Sequence, residues 1–228
     1  MTVYEKIFKK HGLSITQQEI LDLVGREKTV LEIGPSAGYM TDIFLKNGCV
    51  IDVVETDNNA FVKIPKLVRK ALHYSIDDQN IQKFLGRDYD FIIMADVLEH
   101  LVDPEKSLRV LSKIALNKTK LIVSLPNIAC WAMRKQLFLR GDFEYQSSGL
   151  LDKTHLHFYT PKSLPKTLSE NNWKVEKMIG TITRLPFDHS ISRWPILGWL
   201  YKKVIRSKLV ERFKNLSYYH FLVIASKR

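Results

Sequence analysis

The stretch 29-TVLEIGPSAGYMT-41 decides the fold. Val30 to Ile33 suit a short buried strand. They run into Gly34, Pro35, Ser36, Ala37 and Gly38, and a helical run follows from Tyr39 to Asn47, with Gly48 at its C-terminal cap. Strand, glycine turn and helix in that order bring a nucleotide-like ligand against bare backbone. The dinucleotide fingerprint G-x-G-x-x-G is not met, because its middle glycine is missing. The pattern that stands is E-x-G-x-S-x-G, from Glu32 through Gly34 and Ser36 to Gly38.

Outward from this turn the chain alternates strands and helices. Cys49 to Glu55 reads as a second buried strand ending in an acid, and an acid at this place in a βαβ unit can accept both hydroxyls of a ribose. Asp57 is the neighbouring alternative. Asn59 to Leu72 is helical in pattern, interrupted at Pro65, and Ala71 to Ser75 forms a short third strand before Asp77 and Asp78. Phe91 to Ala95 is a continuous apolar run, as expected of a parallel strand covered on both faces. Asp96-Val97-Leu98-Glu99-His100-Leu101-Val102-Asp103-Pro104 follows, with Asp103 placed to cap a helix and Pro104 at its first position. That helix runs to Leu116, and Lys120 to Leu125 is a fifth strand. Ile128 to Arg140 is a further helix stopped by Gly141. Ahead of the glycine turn, Val3, Tyr4, Ile7 and Phe8 give residues 1–12 a helical period, and Thr16 with Glu19 reads as a capping box for a second helix.

Three of these segments carry a family resemblance. The E-x-G-x-S-x-G turn resembles the first motif of the class I S-adenosylmethionine-dependent methyltransferases, an acid followed by three glycines at alternate positions, with Ser36 in place of the central one. The string D-V-L-E-H-L-x-D-P resembles the segment after strand four in methyltransferases related to the ubiquinone-biosynthesis enzymes. The loop 142–160, with its GLLDKTHLHFYT, is similar to that group and closer still to relatives that accompany glycosyltransferases in surface-polysaccharide pathways. The resemblance covers roughly residues 25–182 and the final strand. It implies an α/β fold, a Rossmann-like doubly wound seven-stranded sheet of order 3-2-1-4-5-7-6 with the last strand antiparallel. It implies S-adenosyl-L-methionine as cofactor and S-adenosyl-L-homocysteine as product. Glu32, Gly34, Ser36 and Gly38 would form the cofactor turn, Glu55 would hold the ribose, and Asp77 or Asp78 the adenine amino group. Asp96, Val97 and Leu98 would line the methionine end, and the loop bearing Asp152, Thr154 and His155 would close over the acceptor.

With 228 residues, 45% of them hydrophobic, the chain suits one domain with a sizeable core. Cys49 and Cys130 sit in apolar surroundings without metal-type spacing, which reads as two reduced thiols in an intracellular protein. MTVYEKIFKKHG lacks the apolar segment of a signal peptide, and no run of 18 apolar residues occurs. The expected location is the cytoplasm. Net charge is +11, and much of the excess falls in one place. Trp173 to Ile182 and Tyr218 to Ser226 read as the last two strands, and residues 183–217 between them form an aromatic and basic insertion. Trp194, Trp199 and Tyr201 are followed there by Lys202, Lys203, Arg206, Lys208, Arg212 and Lys214. An acceptor lid or homodimer surface is the first reading, and a peripheral contact with the inner face of a membrane the second. Nucleic acid is not expected as a partner. The segment Ser124-Leu125-Pro126-Asn127 is not the (D/N/S)-P-P-(Y/F/W) sequence that amino-methylating nucleic-acid enzymes use.

The chemistry expected is a direct displacement. An acceptor oxygen or nitrogen attacks the sulfonium methyl, and positioning does most of the work. A hydroxyl acceptor must also lose a proton, which suits a histidine. His155 oriented by Asp152 is the first choice and His100 the second. No metal is expected, since the histidines and acids show no ligand spacing. The acceptor that the resemblance implies is a small molecule, a hydroxyl on a sugar-nucleotide or glycan precursor. The alternatives are an amino sugar, a quinone-like phenol, a nicotinamide-dependent dehydrogenase on a similar fold, and an inactive cofactor-binding module that anchors a partner.

Overall fold

The computed structural model describes residues 12–78, 80–183, 185, 199 and 206–228. Seven strands form one sheet: β1 (Thr29–Ile33), β2 (Val50–Glu55), β3 (Lys70–His73), β4 (Phe91–Ala95), β5 (Lys120–Pro126), β6 (Trp173–Thr183) and β7 (Tyr218–Lys227). Their order is β3-β2-β1-β4-β5-β7-β6. β1 to β5 pair in parallel, whereas β7 runs antiparallel to both β5 and β6. This is the doubly wound arrangement that the family resemblance implied.

Alternation along the strands sends successive residues to opposite faces. Leu31, Ile33, Met94, Val123 and Val223 pack on one side. That side is closed by α4 (Pro104–Ile114) and α6 (Ser163–Glu170). Val30, Val53, Ile93 and Ile122 pack on the other, beneath α1 (Ile15–Val24) and α2 (Tyr39–Lys46). With α3 (Asn58–Phe61), α5 (Trp131–Arg140), α7 (Arg206–Arg212) and α8 (Lys214–Ser217), these are the α-helices of the described residues.

Two local expectations change. The capping box of α1 uses Ser14 and Gln17, not Thr16 and Glu19: Ser14 Oγ accepts from Gln17 N at 3.1 Å, and Gln17 Oε1 accepts from Ser14 N at 2.9 Å. Thr16 is buried against the sheet instead. The helix expected over Asn59 to Leu72 stops at Phe61. Pro65 lacks an N–H, and its ring is drawn onto the glycine turn, where a Cβ on Gly38 would stand 2.7 Å from Pro65 Cδ. The helix expected over residues 1–12 and most of the insertion, including Trp194 and Tyr201, lie outside the described residues.

The described end of the insertion is tied to the sheet. Arg206 Nη2 donates to Thr183 O at 3.0 Å. Tyr218 hydroxyl donates to Glu211 at 2.9 Å, and Asn127 Nδ2 donates to Tyr218 O at 2.7 Å.

Candidate active site

The carboxyl ends of β1 and β4, the start of β7 and the 148–155 loop enclose a cavity of about 580 Å³. Its floor is the glycine turn. Gly34 and Gly38 take φ of +64° and +76°, and a Cβ on Gly34 would stand 2.7 Å from Val97 Cγ2. Ser36 adopts φ +53°, so this serine occupies the left-handed region that glycine favours. Its N–H donates to Glu55 Oε2 at 2.9 Å. Glu55 Oε1 accepts from Thr56 N and Asp57 N, so the acid at the end of β2 is bound to the turn beside it.

Glu32 is buried on the cavity wall. Thr41 hydroxyl donates to its Oε2 at 2.7 Å, while Oε1 has no partner among the described residues. Burial raises its pKa to about 7, the Thr41 bond opposes this, and the charge of Glu55 adds to the rise. An unpartnered buried acceptor beside a glycine turn fits a ligand that brings an ammonium group, as the methionine end of S-adenosylmethionine does. The turn and Glu32 therefore suit the amino-acid end of that cofactor, whereas Glu55 is not among the residues that line the cavity.

Asp96 follows β4 at φ +55°. Its Oδ1 accepts from Ser124 Oγ at 3.1 Å and lies 2.8 Å from His220 Nε2. Asp96 lines the cavity and is 47% exposed; the protein packed around it opposes ionisation, but the charge and hydrogen bond of His220, with Ser124 and His100, outweigh this and hold Asp96 below the usual carboxylate range. At the other side of the ring, His220 Nδ1 lies 3.1 Å from Thr16 Oγ1 and 3.2 Å from Thr181 Oγ1. The two hydroxyls are 2.7 Å apart. Nε2 donates to Asp96, and Nδ1 meets a threonine hydroxyl as acceptor in the neutral ring or as donor in the imidazolium.

Beyond Asp96 the chain makes a short 3-10 turn, Leu98–His100, and the distant loop is fastened to it. Glu99 O accepts from Leu156 N at 2.8 Å and His157 N at 3.0 Å. His100 Nδ1 lies 3.1 Å from Thr154 O, and His155 Nδ1 lies 3.2 Å from Leu150 O. A carbonyl only accepts, so both Nδ1 atoms carry the proton, and the neutral form of each ring has a bare Nε2. The rings meet edge to face at 4.8 Å. His155 Nε2 stands 4.0 Å from Glu99 Oε1. Burial, then the charge of His100, lower the pKa of His155 below its usual value. Burial, followed by the charges of Asp96 and Asp152, pushes Glu99 well above the usual range.

The expected residues do not all meet at the cavity. Glu32, Gly34, Ser36, Asp96, His100 and His155 line the cavity. Gly38 and Glu55 form the turn and its anchor. Val97 packs beneath Gly34, and Leu98 is buried in the core, so both support the floor. Asp77 and Asp78, after β3, are not among the residues that line the cavity: Asp77 is bound by Ser75 Oγ, and Asp78 Oδ1 accepts from Asn80 N. His155 is oriented by the Leu150 carbonyl rather than by the Asp152 carboxylate, which accepts from Thr154 N and Thr154 Oγ1. Ligand-type atoms of Glu99, His100 and His155 lie within 4.8 Å of one another, which spacing along the chain did not suggest. His220 and Glu99 carried no expectation as site residues. Nothing in the local sequence marks His220: it reaches the site because an antiparallel β7 brings its first residues to the carboxyl ends of the parallel strands.

Sheet order and site together define a Rossmann-like methyltransferase fold. The chain belongs to the methyltransferase domain family, whose model matches residues 5–178. This membership sets aside the dehydrogenase alternative. The fold is similar to that of an S-adenosylmethionine-dependent methyltransferase from Archaeoglobus fulgidus, at 14% identity and TM-score 0.67, over 99% of this chain and 100% of that chain. It is also similar to one from Aquifex aeolicus, at 15% identity and TM-score 0.57, over 93% and 89% of the two chains. A chain from the complex of the Haloferax volcanii Trm112 methyltransferase activator with a methyltransferase matches at 13% identity and TM-score 0.62, over 98% and 92%. No curated protein matches the sequence. Among the described residues, no helix is long and apolar enough to cross a membrane.

Proposed function

We propose that the protein transfers the methyl group of S-adenosylmethionine to a hydroxyl of a small acceptor, a sugar-nucleotide or glycan precursor. The observation that carries the chemistry is the gathering of Asp96, Glu99, His100, His155 and His220 around one cavity beside the glycine turn. The cofactor supplies an activated methyl. The protein holds the acceptor oxygen in line and receives its proton. As the carbon–oxygen bond forms, that proton becomes strongly acidic, so an ionised carboxylate suffices to take it. Asp96 faces the cavity bonded to His220, and its carboxylate is the proton acceptor. His155, the first choice from the sequence, turns Nε2 towards Glu99 and belongs with His100 to the acceptor end.

Residues 183–217 act in this reading as an acceptor lid or homodimer surface of a single 1–228 domain, at work in the cytoplasm. The aromatic and basic composition of the insertion supports this. Calorimetry with S-adenosylmethionine and S-adenosylhomocysteine, on the intact chain and on Glu55→Ala, tests the cofactor half. Micromolar binding that Glu55→Ala abolishes is expected. No binding by the intact chain overturns the reading. A methyl-transfer screen over sugar-nucleotides, amino sugars and phenols tests the acceptor half, and cofactor binding with no transfer to any acceptor favours a binding module.

A further inference from the structure

Glu99 is buried, and neither of its carboxylate oxygens has a hydrogen-bond partner among the described residues. A carboxylate in that state is costly unless something completes it. The groups nearest by geometry are two imidazoles, each with Nδ1 held by a backbone carbonyl. Fixing Nδ1–H on a carbonyl is how metal-ligating histidines are usually oriented, because it sets the tautomer and aims the bare Nε2. Among the described residues, no lysine or arginine lines the cavity to supply the missing charge.

We propose that Glu99, His100 and His155 form a binding site for one divalent transition-series cation, with its open positions facing the cavity. Two imidazoles and a carboxylate suit zinc, cobalt, iron or manganese better than calcium or magnesium, which favour all-oxygen sets. Bonds of about 2.1 Å in tetrahedral geometry put ligand atoms about 3.4 Å apart. The three ligand atoms lie within 4.8 Å of one another, so side-chain shifts of about 1 Å close the site. The turn bearing Glu99 and His100 is already stapled to the loop bearing His155 through Glu99 O, Leu156 N and His157 N, so the backbone need not move. This inference deepens the proposed methyl transfer. An acceptor hydroxyl on an open position of the cation loses its proton more readily, and Asp96 stands on the same wall to receive it. The imidazoles then serve as ligands, which is why His155 has no need of Asp152 as an orienter.

The test uses the full chain, stripped with a chelator and titrated with Co2+, read by visible absorption and by calorimetry with Zn2+ as competitor. One equivalent is expected to bind, with two exchangeable, paramagnetically shifted ring N–H resonances from His100 and His155. Glu99→Gln and His155→Gln are each expected to weaken binding at least about tenfold, while His157→Gln leaves it unchanged. Absence of Co2+ binding by the unsubstituted chain overturns the proposal, as does undiminished binding by a folded Glu99→Gln,His155→Gln double variant. If the variants do not fold, the ring N–H resonances of the unsubstituted chain decide: fewer than two overturns the site. S-adenosylmethionine calorimetry on the same samples separates the two readings. Cofactor binding without Co2+ binding removes only the cation site, and Co2+ binding without cofactor binding removes only the methyl-transfer reading.

Discussion

Asp52 and Glu99 are both buried acids, 1% and 2% exposed, on opposite sides of the functional divide. Asp52 lies within β2 and is fully served. Arg69 grips it with Nε and Nη2, each at 2.8 Å, and Tyr89 hydroxyl donates at 2.7 Å. Arg69 continues to Asp88 at 2.8 Å, making a brace between β2 and the segment before β4. Glu99, just beyond β4, has two oxygens without partners among the described residues and two imidazoles beside it. A satisfied buried acid holds a fold together. An unsatisfied one is tolerated where a ligand completes it, and in this molecule that is the cavity beside the glycine turn.

The largest effect expected on the open side follows Asp96→Asn. Asparagine tolerates the left-handed backbone that Asp96 occupies, so the fold survives. Turnover should fall roughly a hundredfold to ten-thousandfold. Steady-state kinetics with an identified acceptor, beside a thermal melt, is the check, and retained turnover would remove Asp96 from the proton path. On the closed side, Asp52→Ala should cost about 3 kcal/mol in a urea titration, because it strands the Tyr89 hydroxyl and the inner face of Arg69. Turnover per folded molecule should not change. An Asp52 variant that folds normally but loses turnover would break the distinction between the two acids.

Glu32 sharpens the comparison through pH. Its folded pKa of about 7 lies above the usual 4.5, so between those values the folded state keeps a proton that the unfolded state has lost. Stability should therefore fall as pH rises through this window. Glu32→Gln should remove that slope and gain up to about 3 kcal/mol above it in the ligand-free protein, while weakening the cofactor. Denaturant titrations at about pH 5 and pH 8 decide it; a variant no more stable at the higher pH contradicts the assignment. The smallest effect is steric. Gly34→Ala meets Val97 in the left-handed region and should cost about 1–2 kcal/mol, read from the same titrations.

Much of this was legible along the chain. Apolar runs, glycines and Asp103-Pro104 located β1, β2, β4, β5 and α4 within a residue or two, because burial on both faces and helix capping are local properties. The glycine turn with Glu55 beside it was legible for the same reason. The region after β2 misled, since helical periodicity there could not foresee that Pro65 packs on Gly38. His220 and the unpartnered state of Glu99 were out of reach. One needs an antiparallel strand to place residue 220 beside residue 96, and the other depends on which atoms fail to arrive.

By itself, then, the sequence determined the strands and the turn that a cofactor would need, through short-range patterns of burial and backbone freedom, and its motifs carried the resemblance that implied the sheet order and the family. Only the tertiary structure decided which acids are completed and which are left open. That depends on side chains brought together from β4, the 150–157 loop and β7, and no local pattern encodes their meeting.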